Sequence, residues 1–133
     1  MTRQRGFTLI ELLVTIAIVA ILATIAIASY RDQVVRSKRG AGAACLQQSA
    51  QAMERYYTTN MTYVDAQAVQ CDTEVAQDYV ISFVADPTVR AYTLQATPQG
   101  GQATSDTKCG ILSINQQGVR GYDGDASSAN ECW

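Results

Sequence analysis

From Phe7 to Ile27 the chain runs for 21 residues with one charge, Glu11, and this stretch constrains the rest of the fold. As an α-helix it spans about 32 Å at roughly 1.5 Å per residue, enough to cross the hydrocarbon layer of a bilayer. The segment therefore meets a membrane at some stage. An ionised carboxylate in hydrocarbon costs several kcal/mol unless it is paired, so Glu11 calls for a cation. The alternative is a carboxylate that only favours a helix N-terminus, and at an exposed site that gives under about 1 kcal/mol.

The remaining chain has room for one modest domain. Its 133 residues carry a formal charge of −2. Without the first six residues, which hold Arg3 and Arg5, 8 basic groups face 12 acidic ones, so nothing in the charge asks for nucleic acid. Histidine is absent, which removes the commonest general base and metal ligand and speaks against an enzyme. No Ser, Cys or Lys constellation suggests a nucleophile, and no cofactor is called for.

Four cysteines, Cys45, Cys71, Cys109 and Cys132, follow the apolar run, and no two form a C-x-x-C pair. An even count at wide spacing behind a membrane-targeting segment predicts two disulfides in an oxidising compartment, with three pairings open.

No proline occurs before Pro87, so one helix can continue far beyond the apolar run. Ala41, Cys45, Ser49, Ala52, Met53 and Tyr56 recur at three- and four-residue steps and predict a stripe laid on a core. Gly40 and Gly42 mark a soft spot or a close contact, and the helix should end near Thr59-Asn60. Residues 60–78 read as a connecting loop with a short turn of helix. Residues 79–85, 90–96 and 110–116 predict three strands, and in the second Tyr92, Leu94 and Ala96 form an apolar face suited to the helix stripe. Residues 98–108 read as polar connection and residues 121–133 mainly as loop.

The basic leader ending in Gly6, followed by Phe7, Thr8, Leu9, Ile10, Glu11 and the long apolar helix, resembles the signal of the type IV pilin family, with G-F-T-L-I-E intact at residues 6–11. An ordinary secretory signal would need a cleavage site after its apolar core, where residues 26–30 offer a poor one. Residues 53–63, 108–121 and the terminal Glu131-Cys132-Trp133 resemble the PilE-like pilins and minor pilins.

The resemblance implies an α+β fold, with a long N-terminal helix packed on a small antiparallel sheet and a disulfide-closed C-terminal loop. It divides the chain into a cleaved leader (1–6), a transmembrane and filament-core helix (7–28) and a globular domain (29–133). It implies that prepilin peptidase cuts between Gly6 and Phe7 and methylates the new amine of Phe7. Glu11 would then meet that amine, in its own chain or in a neighbouring subunit, and set the register of assembly. Cys109 and Cys132 would close the C-terminal loop, leaving Cys45 to pair with Cys71. Implied partners are other pilin subunits, the peptidase, the inner-membrane assembly machinery and, before assembly, the bacterial inner membrane; the implied destination is an extracellular pilus (fimbrium).

The sequence departs from the family in carrying Ala28 where many members have a proline, which puts a kink there in doubt. Arg31, Arg36, Lys38 and Arg39 outnumber the leader's arginines, against the simple positive-inside count, and are expected to face acidic groups of adjacent subunits, lipid phosphates or solvent. Two rival readings share the N-terminal logic. One is a DNA-uptake or adhesive pilin with exposed ligand-binding loops, for which Arg90, Lys108 and Arg120 form a candidate patch; the other is a type II secretion pseudopilin. Twitching motility, cell adhesion and DNA uptake are not distinguished by these residues. Asp123, Asp125, Asn130 and Glu131 raise calcium as a minor alternative, without EF-hand spacing. Tyr56, Tyr57 and Tyr63 read as helix-loop packing, and Tyr122 and Trp133 as ligand contacts or sheet-edge cover.

Overall fold

The computed structural model of the protein describes residues 6–133; the leader arginines Arg3 and Arg5 lie outside them. In chain order the elements are helix α1 (Leu9–Asn60), a single turn α2 (Thr73–Ala76), strands β1 (Tyr79–Phe83) and β2 (Thr93–Pro98), helix α3 (Gly100–Ser105), strands β3 (Leu112–Asn115) and β4 (Arg120–Tyr122), and a 3-10 turn at Ala129–Glu131. The chain forms two compact units that divide within α1, between Val34 and Val35.

The first unit is helix with no core of its own. Every residue from Leu9 to Gln33 is exposed, including the large apolar ones. The helix passes Ala28 without a break, as the absence of proline permits. Thr15 and Thr24 donate their hydroxyls to the carbonyls of Leu12 and Ile21, three residues back, so neither needs an outside acceptor in an apolar setting.

The second unit packs the later part of α1 on a four-stranded antiparallel sheet ordered β1-β2-β3-β4. Register places Leu94 opposite both Phe83 and Ile114, and Ile114 opposite Arg120. Tyr79, Ile81, Tyr92, Leu94, Ala96, Leu112 and Ile114 are buried on one side, so the apolar face read from the second strand is the core face. Facing residues come from α1 in adjacent pairs, Gly42-Ala43, Cys45-Leu46 and Ser49-Ala50, with Met53 below. The stripe is thus wider than the single row expected, and Ala41 is exposed.

Gly42 supplies the close contact. A Cβ there would stand 2.7 Å from Cδ2 of the Tyr79 ring, so the aromatic side chain packs against bare helix backbone. Gly40 has open space and no such role. The helix ends at Asn60 where Met61 takes a left-handed φ of 57° and its N–H returns to the Tyr57 carbonyl at 2.8 Å.

Disulfides join Cys45 to Cys71 and Cys109 to Cys132. The first ties the connecting loop to the core side of α1, where Ser49 Oγ also accepts the Val69 N–H. The second holds the end of the chain to the start of β3. With sequence separations of 26 and 23, the chain-entropy model gives each about 3.5 kcal/mol.

Three local expectations need correction. The second strand begins at Thr93 and not at residue 90, because Thr88 and Ala91 exchange hydrogen bonds that close the β1–β2 turn. The polar stretch after Pro98 contains α3, which buries Gln102. The tail contributes a fourth strand at Arg120–Tyr122.

Candidate assembly and processing site

The N-terminal site is built from residues that the fold leaves free. Gly6, Phe7 and Thr8 precede the helix, and Phe7 is 82 % exposed. A Cβ on Gly6 would meet nothing within 4 Å, so packing does not explain a glycine there. Thr8 accepts the Glu11 N–H on its hydroxyl at 3.3 Å, and its carbonyl accepts the Leu12 N–H at 3.2 Å. Thr8 is therefore the N-cap and Glu11 stands three residues in, the spacing of a capping box. The motif Thr8-Leu9-Ile10-Glu11 carried that signal, which the charge argument alone passed over.

In this arrangement Glu11 sits in the first turn, one turn from Phe7, on a helix whose most apolar stretch is not buried at all within the chain. A cation at the Phe7 nitrogen would approach the carboxylate along the helix start. The dipole adds a favourable but small contribution.

The cations after the apolar run divide. Arg31 and Arg36 are exposed. Contrary to expectation, Lys38 and Arg39 are engaged inside the chain: Lys38 pairs with Asp78 at 2.7 Å, and Arg39 with Asp106 at 2.5 Å, both members of the second pair being buried. Asp106 also accepts the Tyr79 hydroxyl at 3.0 Å and a Gln102 N–H at 3.2 Å, and Gln102 donates to the Val35 carbonyl at 3.1 Å. This network joins α1, β1 and α3 and satisfies each of its members. Burial raises the Tyr79 hydroxyl far above the usual phenol range, against a smaller opposing contribution from Gln102.

The tyrosines pack as read from the sequence. Tyr57 stacks on Tyr63 with ring centroids 4.7 Å apart, Tyr63 meets Tyr92 edge-on at 4.8 Å, and Tyr56 donates to the Val64 carbonyl. Tyr63 and Tyr92 both donate to Glu54. Burial first, and then the Glu54 carboxylate, push Tyr63 up to about 12 and Tyr92 higher still.

The surface patch proposed around Arg90, Lys108 and Arg120 does not hold together. Sheet register brings the β1–β2 loop with Arg90 and the start of β4 with Arg120 to one end. Lys108 lies at the other, where its carbonyl accepts the Ala126 N–H and its ammonium pairs with Glu131 at 2.6 Å. That pairing holds the Glu131 carboxyl below its ordinary range. Arg120 lies over the Trp133 ring at 5.1 Å, and the indole donates to the Gly121 carbonyl, so Trp133 covers the last strand. Asp123 accepts the Ile111 N–H at 2.6 Å, and no metal-binding cluster forms among the described residues.

Comparison with known proteins agrees with this architecture. A family described as "Type IV minor pilin ComP, DNA uptake sequence receptor" matches residues 28–113, and a prokaryotic N-terminal methylation motif matches residues 1–27. Fimbrial protein EcpC of Eikenella corrodens is 31 % identical over 97 % of this chain and 82 % of its own length. The type IV major pilin protein PilE1 of Neisseria gonorrhoeae is 41 % identical over 42 % of this chain, a match that spans about a third (34 %) of that pilin. A type IV pilin from Shewanella oneidensis, solved at high resolution, is 29 % identical and superimposes with a TM-score of 0.54 over 74 % of this chain and 97 % of its own. A long N-terminal helix on a four-stranded antiparallel sheet, the methylation motif and these matches together make the chain a member of the type IV pilin family.

Proposed function

We propose that the protein is a structural subunit of a type IV pilus, made as a membrane-held precursor, cut between Gly6 and Phe7 by a prepilin peptidase and methylated on the Phe7 amine. The observation that carries this reading is the exposed apolar helix with Glu11 as its one charge from Phe7 to Ile27. A helix of that composition is stable in lipid or against other apolar helices, and its chain offers no core to receive it.

Cleavage creates a cation at Phe7, four residues from Glu11, which lowers the cost of keeping the carboxylate in hydrocarbon. In lipid the pair forms within one chain. In the filament Glu11 meets the amine of a neighbouring subunit, so subunits stack in one axial register while the helices pack. The absence of any steric need for glycine at position 6 supports its role as a recognition residue. Assembly machinery in the bacterial inner membrane is the corresponding partner, and the extracellular pilus the destination. The protein's role is thus assembly and not catalysis.

Glu11→Val tests the register. Cleavage should proceed while incorporation into sheared pili falls about tenfold or more, the equivalent of 1.4 kcal/mol or more per subunit. Incorporation equal to the unaltered protein would contradict the proposed role.

A second reading rests on the family match over residues 28–113, whose description names a DNA uptake sequence receptor. In that case the globular unit would contact DNA as well as assemble. Its balance of charge disfavours nonspecific binding, and the ion pairing of Lys108 removes one of the three cations considered for it. Salt-dependent, sequence-selective DNA binding by the full chain in micelles would favour this reading.

A further inference from the structure

The Val35–Trp133 unit carries a groove of about 410 Å³ between α1 and the β3–β4 turn. Gln47 and Gln51 enter it from the helix, and Gln116 and Gln117 from the turn, with Glu54 and Tyr92 beside them. Among the described residues the carboxamides of these four glutamines have no hydrogen-bond partner in the chain. Elsewhere, by contrast, Gln70, Gln95 and Gln102 donate to the Ile81 carbonyl, the Ser82 hydroxyl and the Val35 carbonyl. Four uncommitted carboxamides thus line one concavity, each with two donor hydrogens and an acceptor oxygen.

The groove is also set before any ligand arrives. Asn115 accepts the backbone N–H groups of both Gln117 and Val119 on its side-chain oxygen, which holds the turn. Glu54 is fixed by the hydroxyls of Tyr63 and Tyr92. Arg120, at the rim, is held over Trp133. The site therefore presents one carboxylate and one guanidinium, of opposite sign, among neutral amides.

We propose that this groove binds a neutral, polyhydroxylated ligand, a short oligosaccharide. Each sugar hydroxyl is at once donor and acceptor, which a carboxamide matches with both its ends, and the Glu54 oxygens add acceptors for further hydroxyls. The same carboxylate repels a phosphate or an acidic sugar. An apolar ligand would strand the amides without partners. The volume falls within the few hundred Å³ usual for small-molecule sites. The proposal concerns the globular unit alone and does not depend on processing or polymerisation.

Titration of the isotope-labelled full chain in phosphocholine micelles with lactose, N-acetyllactosamine and maltotriose tests it, with a short single-stranded DNA as contrast. The readout is the side-chain amide NMR signals of Gln47, Gln51, Gln116 and Gln117. We expect at least one saccharide to move these signals saturably. The double variant Gln51→Ala/Gln117→Ala, at two exposed positions, should weaken that binding about tenfold, with thermal unfolding unchanged. The proposal is overturned by silence from all three saccharides at millimolar concentration, or by undiminished binding in the double variant. It is overturned equally if only DNA moves the signals, or if they move with protein concentration alone, which would make the groove a contact between copies.

Discussion

Two stretches of one helix meet opposite fates. From Leu9 to Gln33 no side chain of α1 is buried, whereas from Arg39 to Met53 the helix contributes eight buried residues to a core closed by two disulfides. Backbone hydrogen bonding is the same in both; what differs is where the apolar surface goes. The later stretch finds its partner in its own chain, and so its stability belongs to the monomer. The earlier stretch does not, so its stability must come from lipid or from other copies. The comparison teaches that an anchor and an assembly surface can be the same residues, used in turn.

The largest effect that would sharpen this contrast lies in the buried ion pair. Asp106→Ala leaves the Arg39 guanidinium buried and uncompensated and should cost about 3 to 5 kcal/mol by denaturant unfolding. Replacing both members with apolar residues of similar volume should restore most of that loss. A single variant with an unchanged unfolding midpoint would mean that the pair is not buried as described.

Next come matched truncations in the two stretches. Leu94→Ala, at a fully buried position, should cost about 2 to 5 kcal/mol. Ile21→Ala, at a position 63 % exposed, should leave unfolding of the dispersed chain in micelles within about 0.5 kcal/mol, yet weaken assembly. Equal losses in the dispersed chain would break the comparison.

Smaller again is Gly42→Ala. The added methyl must displace the Tyr79 ring, and overpacking of this kind costs about 1 to 3 kcal/mol, more than the helix propensity of Ala returns. Gly40→Ala, with open space around it, should stabilise instead; opposite signs at two nearby glycines can be read from one pair of melting curves.

The last is a pH effect. Tyr63, Tyr79 and Tyr92 all hold their protons to higher pH in the folded chain than unfolded. Their contribution to stability is complete below about pH 10, the unfolded value, and is lost as pH rises, for Tyr63 through about 12. Phenolate absorbance from these three should therefore appear only with unfolding, and Tyr63→Phe should remove part of the alkaline slope.

Much of this was legible in the sequence because it rests on period and composition. The helix end at Asn60, the single apolar face of β2 and the contact at Gly42 follow from local patterns that burial then fixes. What was not legible depends on pairs distant in sequence. Arg39 reads as one more surface cation until Asp106, 67 residues later, comes beside it. Helix α3 was hidden because its anchor is Gln102, a polar residue buried by hydrogen bonds and not by apolarity. Strand β4 was hidden because its middle residue is Gly121 and its flanks carry turn residues. At the N-terminal site the reverse held: the residues were evident, while the cap between Thr8 and Glu11 needed the backbone to show it.

The claim on which the functional account turns is that a new amine is made beside Glu11. Mass spectrometry of the polypeptide recovered from cells measures it directly. The account predicts a chain that starts at Phe7 and carries one added methyl group on its terminal nitrogen. A chain that retains Met1, or one that starts beyond Ala28, would contradict it.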